Sequence, residues 1–434
     1  MSISSSMNAG VAGLRANATR LATISDNIAN SGTYGYRRAN TSFHSMVVGS
    51  GGAGQGSYAA GGVRTSTTRL VDQGGTLIGT DNATDIALSG RGFLPVTTEL
   101  GAQLQDGSAP LRLATTGSFR TDAAGLLKDS AGNTLLGVPA DRDGVVAAFP
   151  RDSVAALRPV RIDPNEIMFR ETSRIDFAVN LPATETLSTA TGDTIELSAE
   201  FFNTLGLSDR INIELEPTLA IGPGPSNTWT MTVSHPELPA LPPFTLLFDA
   251  TPGNAGKLAS VTPAPGAYDP ATGEITLMIG GQDVAFFIGG AAHDTGITQR
   301  GPTFSPLGMS QDGAGVGNFV GLTIDADGFL EAIYDQGFRR TLYRIPIIDV
   351  PNPNGLTSLS SQTFQVSRES GPFFMWDAGT GPVGEFIGFA LQESATDVAA
   401  ELTGLIQTQR AYSSNAKVIQ TVDEMFQETT NIKR

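Results

Sequence analysis

The sequence predicts a multidomain, mainly β protein whose N- and C-terminal α-helices pair as a coiled-coil-like inner domain, with the β domains nested between them. Three observations predict it. Apolar residues recur in steps of three and four at both ends of the chain, short strand-like runs separated by turn residues fill the interior, and those runs form an early and a late block around a Pro- and Thr-rich middle. At 434 residues the chain is also too long for one compact core.

The first element is the N-terminal helix. Ser4, Met7, Val11, Leu14, Ala18, Leu21, Ser25 and Ile28 follow the three-four spacing, and six of these eight are apolar. A Ser-rich start supplies N-caps, while Asn30 and Gly32 offer the left-handed residue that ends a helix. The last element mirrors it. Val398, Leu402, Leu405, Gln409, Tyr412, Ala416, Ile419, Asp423 and Phe426 keep the spacing, seven of the nine are apolar, and Asp397 is placed to cap the start. Two helices alone bury too little to be stable in water, so these seams call for partners from other subunits. Met7, Val11, Leu14, Leu21 and Ile28, with Val398, Leu402, Leu405, Tyr412, Ile419 and Phe426, are therefore the candidate subunit–subunit contacts.

Between the helices the pattern changes. Residues 31–70 carry no apolar period and read as a polar, Gly-rich linker. From residue 71 to 145 come runs such as DIALSG and NTLLGVPAD, with "DAAG" and "SAGN" as turn chemistry. A late block, 320–394, repeats the style with "DADG" and "YDQG". These two blocks are expected to form one discontinuous β domain. Residues 146–319, with runs such as SRIDFAVNL, TWTMTVS and EITLMIG, are expected to form an inserted all-β domain.

Composition narrows function. A net charge of −16 argues against nucleic acid and anionic membrane surfaces as partners. Only 16% of residues are charged, against a usual ~25%, so the surface is polar but sparsely charged. The absence of cysteine excludes disulfides and thiolate chemistry. No run approaches the ~18 apolar residues of a membrane span, and the N-terminus lacks the features of a cleaved signal peptide. His44, His235 and His293 lack metal or triad spacing, and His293 beside Asp294 reads as a loop pair. "GSGGAG" matches a dinucleotide fingerprint, but more glycine follows it where a helix is required. "DADG" has its Gly too early for a calcium loop and reads as a turn. No cofactor or metal is expected, and nothing favours an enzyme.

The motifs in their order resemble the axial proteins of the bacterial flagellum, the rod and hook family. "ISDNIANSGTYGYRR" is similar to the family's N-terminal signature, which marks Asn27, Asn30, Gly35 and Tyr36 as its linker residues. "DIALSGRGF", "TTGSFRTDAAGLLKDSAGNTLLG", "LTIDADGFLEAIYDQG" and "VPNPNGL" resemble its β motifs, and "LIQTQRAYSSNAKVIQTVDEMF" its C-terminal helix. The 174 residues from 146 to 319 point to the hook branch, since rod members have little or no insert. The resemblance implies a structural subunit that self-assembles into a flexible, curved tube, outside the cell, transmitting motor torque to the filament. It also implies export through the flagellar type III apparatus, and contacts with a cap scaffold, the distal rod and hook–filament junction proteins. A distal rod protein is the near alternative; a secreted β-rich adhesin or enzyme is the distant one.

Overall fold

The computed structural model describes residues 3–46, 61–104, 110–142, 144–165, 167–237, 242–262 and 268–432. They form two compact units. One comprises Met1–Pro164, Gly321–Ile333 and Arg339–Arg434; the other comprises Asn165–Val320 and Tyr334–Phe338.

The first unit holds both long helices, Ile3–Ala29 and Val398–Ile432, packed against each other. Asp397 caps the second of them: its carboxylate accepts from the Ala399 and Ala400 amides at 2.9 and 3.1 Å. Between the N-terminal helix and the β body the sequence suggested only a polar linker. Strands Ala39–Ser45 (β1) and Val63–Arg69 (β2) instead pair antiparallel, from Ala39 opposite Arg69 to Ser45 opposite Val63. This ribbon lies on the helix through hydroxyls rather than an apolar stripe. Thr41 bonds Thr23 at 2.7 Å and Thr67 at 3.2 Å, and the Arg20 guanidinium sits 5.7 Å from the Phe43 ring centre. Residues 47–60 lie outside the described residues.

In the same unit the early and late β blocks interleave. Leu77–Gly79 pairs with Ala390–Gln392, and Asp85–Ser89 pairs with both Thr116–Ser118 and Glu385–Gly388. In the large sheet Leu113 faces Phe364 and Val138 faces Arg344. The core joins Phe93, Leu113, Leu136, Val138, Ile348 and Phe364 from both blocks. One turn recurs, with an Asp carboxylate accepting from the second and fourth following amides and Gly third. Asp122 accepts from Ala124 and Leu126, and Asp129 from Ala131 and Asn133. Gly125 and Gly132 take φ of 81° and 82°, where a side chain would be strained. Asp325 and Gly328 make the same kind of turn, so "DADG" is turn chemistry as its spacing suggested.

Residues 146–164 belong to this first unit rather than to the insert in which the sequence placed them. Arg158–Pro159 pairs with Leu136 and Gly137, and Leu157, Val160 and Ile162 are buried. Arg151 holds Asp377 by a fork of two 2.7 Å bonds, and Arg344 reaches the same carboxylate at 3.1 Å. These partners keep the Asp377 carboxyl below its ordinary range, Arg151 contributing most.

The second unit is all β. Arg174–Leu181 lies within a six-stranded sheet, parallel to Gln282–Phe287 and Ile297–Gln299 and antiparallel to Ser305–Gln311. Ile195–Phe202, Ser208–Pro217, Thr228–Ser234, Phe244–Phe248 and Leu258–Thr262 form a five-stranded antiparallel meander. Alternate residues of both sheets, among them Phe177, Phe286, Ile213, Phe244 and Trp229, share one buried core. At its base Met168 pairs with Gly317, so the chain enters and leaves this unit at neighbouring points.

Two expectations follow. Removing 169–316 and joining the ends through a short Gly-Ser linker should leave the first unit folded, because closing such a loop is entropically cheap. The melting transition seen through Trp376 should persist in circular dichroism and fluorescence; its loss would show that the first unit depends on the second. Second, Asp377→Asn should lower the stability of the first unit by about 1–2 kcal/mol at neutral pH, as a partly exposed charge-assisted fork is lost. Because the folded pKa is depressed, that contribution is present above the unfolded value of about 3.9 and disappears as pH falls through the folded one. The gap between wild type and variant in urea melts should therefore close below about pH 4.

Candidate assembly site

The two terminal helices meet through small residues. A methyl built at Gly13 would lie 2.8 Å from the Asn415 side-chain nitrogen, and one at Gly10 would lie 3.2 Å from Ile419. Gly404 faces Ile24 in the same way. Gly13 opposite Asn415 and Asn27 opposite Glu401 make the pair antiparallel. Ala16, Asn17, Ile24 and Asn27 on one helix and Thr408 and Val422 on the other are buried. Two of the polar members bond within their own helix, Asn17 to the Gly13 carbonyl at 2.9 Å and Thr408 to that of Gly404 at 2.7 Å, whereas Asn27 reaches Glu401 across the pair. Glycines of one helix receive side chains of the other, Gly10 that of Ile419, Gly13 that of Asn415 and Gly404 that of Ile24.

The apolar seam read from the sequence is thus not the seam within the chain. That inner seam runs through Gly10, Gly13, Asn17, Ile24 and Asn27, one residue back from Val11, Leu14, Ala18, Ser25 and Ile28; the apolar Val11, Leu14, Leu21 and Ile28 are half-buried. On the other helix Ile419 reaches Gly10 and Leu405 is half-buried. Val398, Leu402, Tyr412 and Phe426 stay exposed, Leu402 at 48% and Tyr412 at 44%, and so does Met7. Ile406, Val418 and Met425 are exposed as well, without having been singled out by the spacing. The glycines were legible only as a second three-four series of small residues.

Where the N-terminal helix ends, the signature residues form a hub. Asn27 is 1% exposed. Its amide oxygen accepts from the Ala39 N–H at 2.9 Å, and its amide nitrogen donates to the Ala39 carbonyl and the Glu401 carboxylate, both at 2.8 Å. The Tyr36 hydroxyl lies 3.0 Å from the Asp26 carboxylate and 3.1 Å from the Asn27 oxygen. Burial first, and then the bond to Asp26, push the Tyr36 hydroxyl up to about 12, so it stays a donor at any physiological pH. The Arg69 guanidinium stacks 5.0 Å over the Tyr36 ring and donates to the Arg37 carbonyl at 2.9 Å. Asn30 folds back onto the Asp26 carbonyl at 2.9 Å. Gly35 takes φ of 72°, donates to the Gln392 carbonyl at 2.7 Å and accepts from Thr115 at 3.1 Å. A methyl there would sit 2.7 Å from the Thr115 hydroxyl, so glycine is required twice over. The Tyr36 carbonyl accepts from Ala395 at 2.9 Å. One short motif therefore binds the first helix, the ribbon, the early β block and the approach to the last helix.

The three histidines lie apart from one another. His44 bonds Ser66 across the ribbon at 2.9 Å, and His235 lies 3.1 Å from Asp209. His293 meets the edge of Phe287, while its sequence neighbour Asp294 bonds Lys257 at 2.6 Å instead. Among the described residues no group of His, Asp and Glu has metal-site geometry, and no helix is long and apolar enough to cross a membrane.

Comparison with known proteins places these features. The family model "Flagella basal body rod protein" matches residues 7–37, and "Flagellar basal body rod FlgEFG protein C-terminal" matches 389–432. The first range contains Asn27, Gly35 and Tyr36, and the second contains Gln392, Ala395 and Glu401. The flagellar hook protein FlgE of Rhizobium meliloti is 31% identical over 440 residues, covering all of both chains. That of Brucella suis is 33% identical over 435 residues, again covering all of both. The chain belongs to the flagellar hook protein family. A crystal structure of Helicobacter pylori flagellar hook protein FlgE2 is similar over 74% of this chain and 99% of that one, at 13% identity and a TM-score of 0.48, a likeness too slight to argue from. Similarity to hook proteins runs the full length, middle unit included, which settles hook against rod and sets aside the secreted adhesin or enzyme. A hook protein is a structural subunit of an extracellular flagellar assembly, is not an enzyme, and self-assembles.

Asn27→Ala would take from the half-buried Ala39 amide and carbonyl, and from Tyr36 and Glu401, the side chain that pairs them. Hydrogen bonds of this kind contribute about 1 kcal/mol each, so the variant should lose about 3 kcal/mol. Urea denaturation of the first unit checks this; a loss under ~1 kcal/mol would mean the hub is not what holds the helix to the ribbon.

Proposed function

We propose that the outer apolar face of the helix pair is the surface through which hook subunits join. Met7, Val11, Leu14, Leu21 and Ile28 from the first helix, with Val398, Leu402, Leu405, Tyr412, Ile419 and Phe426 from the last, pack against copies of themselves on neighbouring chains. The helices together form an inner tube, with the β units outside it. The observation that carries this is the exposure of Leu402, Tyr412 and Phe426 on a helix pair whose own contact is made by glycines. Large apolar side chains left in water along one helix face mark an interaction surface. The first unit is the body of the tube wall, and the second is an independent outer unit.

In this reading the assembled tube is flexible and curved, and passes motor torque to the filament. A sparsely charged, Ser- and Thr-rich surface suits it, since contacts between such faces can change without separating fixed ion pairs. Further partners are a cap scaffold at the growing end, the distal rod at one end of the tube and hook–filament junction proteins at the other. The flagellar export apparatus delivers the subunit. No nucleic acid and no membrane insertion are involved.

Leu402→Asp tests the surface. A carboxylate buried without a partner costs several kcal/mol, so assembly followed by sedimentation and electron microscopy should be lost. In the monomer that side chain is exposed, and the melting transitions of the two β units should not move. Normal polymers from this variant would remove the outer helix face from the interface.

A further inference from the structure

Among the described residues, those other than glycine that hold a positive φ are Asn227, Ser361, Gln362 and Phe389. Asn tolerates the left-handed region because its short polar side chain can bond locally. Ser361 and Gln362 sit in the tight turn between Ser360 and Thr363, where positive φ is what a hairpin requires. Phe389 meets neither condition. It holds φ of 55° between strands Glu385–Gly388 and Ala390–Gln392, where the chain leaves its pairing with Asp85–Ser89 for Leu77–Gly79. A bulky side chain at such a φ is an outlier that lowers the stability of the chain carrying it.

Glycine at this position would remove the strain, and the preceding residue shows where the chain does use glycine. Gly388 has an ordinary φ but no room, since a methyl on it would lie 3.2 Å from the Ile324 side chain. At Phe389 the reverse holds. Its backbone suits glycine and is held by the Thr80 amide, which donates to the Phe389 carbonyl at 2.7 Å. Its ring is 47% exposed, and Ile387, two positions earlier, is 37% exposed. The surface alongside is open: a methyl at the exposed Gly79 would meet nothing nearer than the Phe389 carbonyl at 4.0 Å.

We propose that the Phe389 ring, together with Ile387, is a subunit contact on the β body, seated against a second copy of this chain. This rests on the self-assembly described above and adds to it a contact outside the helices. The occupant follows from how many copies bear the strain. Every copy bears it, so what offsets it is a contact that every copy makes. Along a polymer that contact is with another copy, whereas a protein at either end of the tube touches only the last few subunits. An aromatic ring suits the role, because it brings a large apolar area with few rotatable bonds to fix.

The test compares wild type with Phe389→Gly and Phe389→Asn, both of which accept a positive φ. The critical concentration for assembly is read by sedimentation, and the stability of dilute monomer by urea denaturation. Both variants should unfold at the wild-type midpoint or above it, because strain is relieved. Both should raise the critical concentration about tenfold or more, as loss of an interfacial aromatic anchor does. A wild-type critical concentration in both overturns the inference while self-assembly stands. So does an effect in one variant alone, since the two share only the missing ring. A lower urea midpoint in both also overturns it, for the ring would then serve its own chain. Leu402→Asp separates this contact from the helix face: normal polymers from it, with impaired Phe389 variants, remove the helix face and leave this contact standing. Failure of wild type to assemble sinks both.

Discussion

A side-chain amide buried in a protein must have its donors and acceptor met, and in this chain Asn27 meets them through four bonds to three residues at once. The Ala39 backbone accepts from it and donates to it, Tyr36 lies against its oxygen, and Glu401 takes its remaining N–H. Moving any one of these leaves a polar group stranded. The hub thereby fixes where the first helix stops, in which register the ribbon begins, and how far along the last helix the two terminal helices are aligned. Gly35 completes it by allowing a turn and a close approach to Thr115 that no other residue permits.

From that alignment the character of the helix pair follows. With Asn27 against Glu401, antiparallel packing brings Gly404 to Ile24, Gly13 to Asn415 and Gly10 to Ile419. Ile24, Ile419 and Val422 join the glycines at the contact, while Leu402, Tyr412 and Phe426 stay outside it. The sequence made the helices plain, because their apolar residues repeat every three or four, but it left the intrachain contact, which lies on another strip, unread. Periodicity counts large apolar side chains, and here those serve the outer face, while the intrachain contact is written in glycine, alanine, asparagine and threonine. The strips are one residue apart, about a quarter of a turn, which hydropathy does not resolve. The ribbon was illegible for a related reason. Its strands touch the helix through Thr23, Thr41 and Thr67 hydroxyls, so no alternation of apolar and polar residues announced them.

The β units were easier. Runs such as SRIDFAVNL and TWTMTVS alternate cleanly because every second residue faces one shared core. The Asp-x-x-Gly turns could be read because two requirements coincide there, a carboxylate that accepts two backbone amides and a glycine in the left-handed region. The segment 146–164 misled for the opposite reason. It is held by a two-residue strand, three buried aliphatic residues and the Arg151–Asp377 fork, whose partner lies far along the chain, and none of these leaves a local pattern.

The separation between hub residues also bears on when the pieces can form. Asn27 and Glu401 are 374 positions apart, whereas the meander of the second unit pairs each strand with its neighbour in sequence. Loop closure makes distant contacts entropically later than local ones. The β units therefore gain their cores first, and the terminal helices are brought into register only once the interleaved early and late blocks have placed Gln392 beside Gly35. At that moment a hook subunit has its large apolar helical side chains aligned but still in water. In the proposed assembly neighbouring chains cover them, so the last event in folding one subunit and the first in joining the next act on the same surface. A nested chain order provides this directly, because it reserves both ends of the polypeptide for the element that closes last.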